Sequence, residues 1–275
     1  MTGDNSAGPR RLRLRYPAVC GTCAMELSAG TEAFWDRAAR QATCLACGPE
    51  TGPIDAGTPG ASAAAEGERR KEKRVEDARR RYGDHAAVVA AAVFGRETAE
   101  SWEKGSVGES RLAAYLEREV GDRVIALHDR LIPGTRRNID HIYVARTGVW
   151  VVDAKAYKGK VVKRDLGPIW RREHEVLVGG RNRTPLAKGV EGQVDAVIAA
   201  LRPDPESKGT DVHGALCFLD SEWATSPFQV GYVWILYPRE LRKRLRKKGP
   251  LSREAMERVA RRLALSFPSA ADERR

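Results

Sequence analysis

The chain has 275 residues, 31% charged and 42% hydrophobic, with 48 Lys and Arg against 37 Asp and Glu for a formal net charge of +11. No apolar stretch approaches the roughly 20 residues of a membrane span, and the arginines of MTGDNSAGPRRLRLRYPAV have no apolar run behind them, as a secretory signal would. A soluble, cytoplasmic protein is expected, with no membrane partner. The basic balance attracts polyanions, nucleic acid foremost, because neutralising phosphates releases counterions.

Residues 1–17 read as a disordered N-terminus and 18–49 as a cysteine module. Four of the five cysteines fall there, as Cys20-x-x-Cys23 and Cys44-x-x-Cys47 with 20 residues between the pairs. The odd count argues against a disulfide framework, and the spacing suits a four-cysteine zinc site of zinc-ribbon type. Two short knuckles supply two thiolates each to a tetrahedral ion. So small a segment has too little core to fold alone, so structural Zn supplies most of its stability. Such modules serve nucleic acid, protein partners or architecture alike. Cys217, inside an apolar run, reads as a buried small hydrophobe.

Residues 50–84 read as linker and charged helix. ETGPIDAGTPGASAAAEGE (50–68), rich in Gly, Ala, Pro and Ser, has the composition of a flexible linker. A helical lead-in follows over 85–104, and the compact core starts at 105. GESRLAAYLEREV (108–120) puts Leu112, Tyr115, Leu116 and Val120 on one stripe, and Gly121 stops that helix. Strands are expected at 123–131, 138–145 and 148–157, with shorter ones near 160–163 and 169–171. A helix spans 186–201, with Val190, Val194, Val197, Ile198 and Leu201 inward. Buried strands follow at 212–220 and 231–237, then a basic helix (239–247) and an amphipathic one (252–267) within a C-terminal helical region, 241–275. The basic run Arg239–Lys248 is either a solvated face or a phosphate-tracking one. The aromatics Tyr143, Trp150, Trp170 and Trp234 read as core.

Chemistry concentrates in two adjacent runs. Asp140, Asp153 and Lys155 sit inside apolar strands, where an unpaired charge is costly. A two-residue hairpin turn at Arg146-Thr147 puts Asp140 opposite Asp153, with Cβ atoms about 5 Å apart. A three-residue turn shifts the pairing by one. Asp153 and Lys155, two apart on one strand, share a face. Carboxylates so close repel unless a cation lies between them, and oxygen ligands suit Mg²⁺ or Mn²⁺. The lysine then holds a water beside a phosphodiester. The alternative is a structural Asp–Lys ion pair. His141, next to Asp140, points to the opposite face of its strand; His128 and Asp129 lie nearby with no motif behind them.

Asp140 followed by Asp153-Ala154-Lys155 resembles the D…(D/E)-x-K signature of the PD-(D/E)xK, restriction-endonuclease-like superfamily. Gly108-Glu109, Ile139-Asp140-His141 and Gly148-Val149-Trp150-Val151-Val152-Asp153-Ala154-Lys155-x-Tyr157-x-Gly159 resemble the NERD (nuclease-related) domain, over roughly 105–240. The resemblance implies an α/β fold with an αβββαβ core and mixed central sheet. It also implies Mg or Mn held by Asp140, Asp153 and the Ala154 carbonyl, with Lys155 orienting the attacking water and Glu109 a helical acid within reach. Glu109 alone reads equally as a helix N-terminal acid. Residues Arg183–Lys188 depart from the family's Asn-Pro-Leu-x-Gln pattern, so no role is carried over to Lys188 or Gln193. The expected function is a divalent-metal-dependent nuclease acting on nucleic acid, DNA first. The alternative is a non-catalytic nucleic-acid or protein-binding module in a DNA-processing or defence assembly.

Overall fold

The computed structural model describes residues 9–48, 53–83, 107–135, 137–167, 173–204 and 207–270. In the N-terminal module, β1 (Arg10–Arg13), β4 (Glu32–Asp36) and β5 (Gln41–Cys44) form a three-stranded antiparallel sheet, and β2 (Ala18–Val19) pairs with β3 (Glu26–Leu27). Arg10–Arg13, expected within a disordered N-terminus, is thus a paired strand, and residues 1–8 of that expectation lie outside the described residues. A strand of three arginines and one leucine is exposed along its whole length, yet its backbone is paired with β4 from Arg10↔Trp35 to Arg13↔Glu32.

The segment expected as a flexible linker differs along its length. Residues 53–60 are tied to the core. Ile54 packs against the main apolar cluster, Arg130 forms a salt bridge to Asp55, and the His128 N–H donates to the Ala56 carbonyl at 2.7 Å. Helix α1 (Ala61–Tyr82) then begins within the Ala-rich stretch, where five alanines favour helix once the preceding residues are anchored. The lead-in helix expected over 85–103 and the strand at 169–171 lie outside the described residues.

The core follows as helix α2 (107–120), β6 (Val124–Leu131), β7 (Asn138–Ala145), β8 (Gly148–Lys155), β9 (Gly159–Leu166), β10 (Glu173–Val178), β11 (Arg181–Asn182), α3 (Thr184–Leu201), β12 (Val212–Phe218), β13 (Ser221–Trp223), β14 (Phe228–Val230), β15 (Val233–Leu236), α4 (Pro238–Leu245) and α5 (Arg253–Ser266). Six strands make the central sheet in the order β14-β15-β12-β8-β7-β6. The β6–β7–β8 meander and the β14–β15 pair are antiparallel, whereas β8–β12 and β12–β15 are parallel, so the sheet is mixed. A second sheet, β11-β10-β9-β13, flanks it. With α2, β6, β7, β8, α3 and β12 in that order, the expected αβββαβ core is present, and this is a restriction-endonuclease-like arrangement.

Strand alternation divides the core into two apolar layers. Ile142, Val144, Val149 and Val151 face α3 and α5, while Tyr143, Ala145, Trp150 and Val152 face α2 and α4. Both faces of β7 and β8 are covered, which is why these strands read as continuous apolar runs. On α3 the inward stripe is Val190, Val194, Val197 and Leu201; Ile198, expected inward, is 37% exposed. It lies one 100° step beyond Val197, past the edge of the stripe. Helix α5 supplies Met256, Val259, Ala260 and Leu263 to the main layer, so the C-terminal region is part of the core rather than an appendage. Among the described residues no helix is long and apolar enough to cross a membrane.

Candidate metal centres and active site

The β7–β8 connection settles the register. Pairing runs from Ala145↔Gly148 to His141↔Val152, so Arg146-Thr147 is a two-residue turn and Asp140 and Asp153 fall at the next step. Gly148 permits it: its φ is +121°, and a Cβ there would sit 2.3 Å from the Asp211 carbonyl oxygen. Asp140, Asp153 and Lys155 share the face that packs toward α3. Lys155 Nζ lies 3.6 Å from Asp140 Oδ2 and forms a second, closer ion pair with Asp153 Oδ1. The three side chains are only 11%, 13% and 24% exposed.

Glu109, in the first turn of α2, is 7% exposed and adds a third carboxyl to the group. Burial first, and then the charge of Asp140, pushes its pKa up to about 9. Burial and the facing charge of Asp153 likewise raise Asp140 to about 7, against a donated hydrogen bond from the Ala154 N–H. Burial alone would lower Lys155, but Asp153 and Asp140 outweigh it and hold the ammonium charged well beyond neutral pH. Glu109 Oε2 is buried with no partner, and the buried Asp140 Oδ2 and Asp153 Oδ1 have only the Lys155 ammonium between them. Buried polar atoms are normally satisfied, so three carboxyl groups sharing one lysine fit a hard divalent cation. The donor set is suitable for Mg²⁺ or Mn²⁺ and unsuitable for a soft metal.

Neighbouring polar groups fall into two sets. Gln193 of α3 donates to the Asn138 carbonyl at 3.2 Å, two residues before Asp140, and its own Oε1 is buried with no partner. Sequence reasoning set this residue aside because the words around it depart from the family pattern. The usable signal was position: Gln193 stands three residues after Val190, on the same inward stripe. Lys188 is exposed and takes no part. Asp129, 1% exposed and in the left-handed region at φ 52°, accepts from the Ser62 N–H at 2.6 Å and from Asn138 Nδ2 at 2.8 Å. Its oxygens are occupied, which makes it an anchor for the start of α1 rather than a cation ligand. His141 is fully buried on the opposite face, as expected, with its Nδ1 2.9 Å from that of His128. Burial lowers both imidazoles, His128 to about 4, so the pair is neutral and shares one hydrogen bond.

The cysteine site is of another kind. Cys20, Cys23, Cys44 and Cys47 bring their Sγ atoms within 4.8 Å of one another, and the Cys23–Cys44 separation is 3.8 Å. Four thiolates about 2.3 Å from one tetrahedral ion stand about 3.8 Å apart, so the cluster fits zinc. Cys20, Cys23 and Cys44 are nearly inaccessible, and the Cys44 N–H donates to Cys20 Sγ at 3.3 Å. Hydrogen bonding from Cys47 lowers the Cys44 thiol to about 5, which favours the thiolate. Cys217 lies apart, fully buried in β12, where burial raises its pKa.

No curated protein and no solved structure matches the chain with significance. The family model for the nuclease-related domain, NERD, matches residues 104–219, a span that begins just before α2 and ends one residue past β12. It contains Glu109, Asp140, Asp153 and Lys155 and excludes the cysteine cluster. Residues 104–219 thus match a nuclease-related domain on a restriction-endonuclease-like fold, and the N-terminal module holds four cysteines clustered within metal-binding distance.

Proposed function

We propose that the chain is a divalent-metal-dependent nuclease that hydrolyses phosphodiester bonds in nucleic acid, with DNA the expected substrate. One observation carries this reading: three buried carboxyl groups converge on a single lysine, which pairs with Asp140 and Asp153 and leaves Glu109 Oε2 buried with no partner. A purely structural ion pair needs one carboxylate, and two extra acids raise its cost without return.

Asp140, Asp153 and Glu109 would hold the cation, with the Ala154 carbonyl beside them on β8. When bound, Mg²⁺ or Mn²⁺ supplies the positive charge that acidifies a water and offsets charge building on the phosphoryl group. The chain's own contribution is placement. Lys155 has three N–H donors: the one not spent on Asp153 and Asp140 holds the attacking water in line. The water oxygen forms the new P–O bond, the ester P–O bond breaks, and the departing oxygen leaves with a proton. Neutral, buried His128 and His141 face away from this chemistry and support the sheet beneath it.

A cleavage assay on linear, circular and single-stranded DNA with Mg²⁺ or Mn²⁺ tests the proposal. Wild type cleaves; Lys155→Ala, folded and zinc-loaded, does not. Wild-type protein that is folded and zinc-loaded but leaves every substrate intact refutes it.

A further inference from the structure

The module's surface carries a feature that neither metal site uses. A groove of about 730 Å³ runs beside β1 and β5, walled by Leu12, Tyr16, Val19 and Trp35. Tyr16 is 78% exposed, Val19 56% and Leu12 39%, the largest concentration of exposed apolar side chains among the described residues. Arg13, Arg15 and Arg40 line the same groove, and no acidic residue does. None of the three arginines sits in a salt bridge among the described residues; Arg11, on the same strand face as Arg13, is engaged with Glu32, which also feels the Arg13 charge. The patch therefore combines the exposed Tyr16 ring, the half-buried Trp35, an apolar floor and an excess of positive charge.

We propose that this groove binds single-stranded nucleic acid, with unpaired bases on Tyr16 and Trp35 and the phosphates on Arg13, Arg15 and Arg40. The strand state follows from the chemistry. Aromatic platforms gain from base faces, which a duplex keeps covered by its own stacking, and such contacts are indifferent to base identity. The proposal deepens the functional reading above by naming the form of nucleic acid, and rests on it only for the polymer's being nucleic acid.

The test is fluorescence anisotropy on the zinc-loaded full chain, without added Mg²⁺ or Mn²⁺ so that turnover plays no part. The probes are labelled oligo(dT) and oligo(U), with a duplex of equal length as competitor. Tyr16→Ala is expected to weaken binding about tenfold, in line with ~1–3 kcal/mol per stacked base, and Tyr16→Trp to restore it. The triple variant Arg13→Gln/Arg15→Gln/Arg40→Gln is expected to flatten the slope of log affinity against log salt by about 2, at ~0.7 per phosphate contact. Stronger binding of one oligomer assigns the groove to DNA or to RNA. Affinity unmoved by Tyr16→Ala and by the triple variant, or preference for duplex, overturns the proposal. Because no cleavage is measured, an inactive nuclease site leaves the outcome untouched.

Discussion

The two candidate metal centres differ in how much of the job the protein has already done. The cysteine cluster is closed: four identical soft donors at tetrahedral spacing, three of them almost inaccessible. The carboxylate site is open in the chemical sense: three hard carboxyl donors share one internal cation, and one buried oxygen, Glu109 Oε2, has no partner. Closed sites hold structure and open ones leave coordination positions for substrate and water. Seen together, the two centres teach that ligand count alone does not classify a metal site; what distinguishes them is whether anything is left unsatisfied.

The largest effect should come from the closed site. The module's buried cluster is Leu14, Leu27, Ala33 and Ala42 with the cysteines themselves, too little to fold alone. Removing zinc, or Cys44→Ser, forfeits apparent metal-binding energy of ~10–16 kcal/mol. Limited proteolysis should then cut within 10–48 while the central sheet keeps its far-ultraviolet signature. A module that stays protected without metal would erase the contrast.

At the open site Lys155→Ala should lower the cleavage rate by about 10²–10³-fold, the scale for losing one preorganised charged donor, in protein that stays folded at the assay temperature with zinc content unchanged. Equal loss of rate and of stability would assign the lysine to a structural ion pair instead.

Asp129→Ala sharpens the boundary of the site. Two buried donors, the Ser62 N–H and Asn138 Nδ2, lose their acceptor. At ~1–3 kcal/mol each, denaturant unfolding should show a loss of about 2–6 kcal/mol, while Mn²⁺ affinity holds. Affinity that falls with stability would move Asp129 into the ligand set.

The smallest effect is a pH dependence. Folded-state pKa values raised to about 7 for Asp140 and about 9 for Glu109 mean that the folded, cation-free protein binds more protons than the unfolded chain. That stabilisation is complete below the usual carboxylate range and is lost as pH rises through 7 and then 9. A divalent cation offsets the loss, so the rise in melting temperature on adding Mn²⁺ should widen from pH 6 to pH 8.5. A constant rise would mean that these carboxyls do not face the cation.

Much of this was legible in the residues. The C-x₂-C pairs specify their own chemistry, and Asp140, Asp153 and Lys155 stand out because charge inside an apolar strand demands a partner. The β7–β8 register was open between two turn lengths, and Gly148 at positive φ, against the Asp211 carbonyl, is what the two-residue turn uses. What stayed hidden depends on tertiary contacts. Solvated Arg10–Arg13 carries no strand pattern, because its order comes from pairing with β4. Residues 53–60 read as linker since Gly and Pro say nothing of an Asp55–Arg130 tie to a strand 75 residues away. Gln193 was set aside on local words, although its place on the α3 stripe was already determined by the spacing of Val190 and Val194.

The most direct test of the open site is a Mn²⁺ titration of the zinc-loaded chain, followed by electron paramagnetic resonance, beside Asp140→Ala and Asp153→Ala. The account predicts Mn²⁺ binding by wild type that each substitution abolishes, with the zinc content unchanged in all three. Mn²⁺ binding that survives both substitutions, or no binding by the folded wild type, would contradict it.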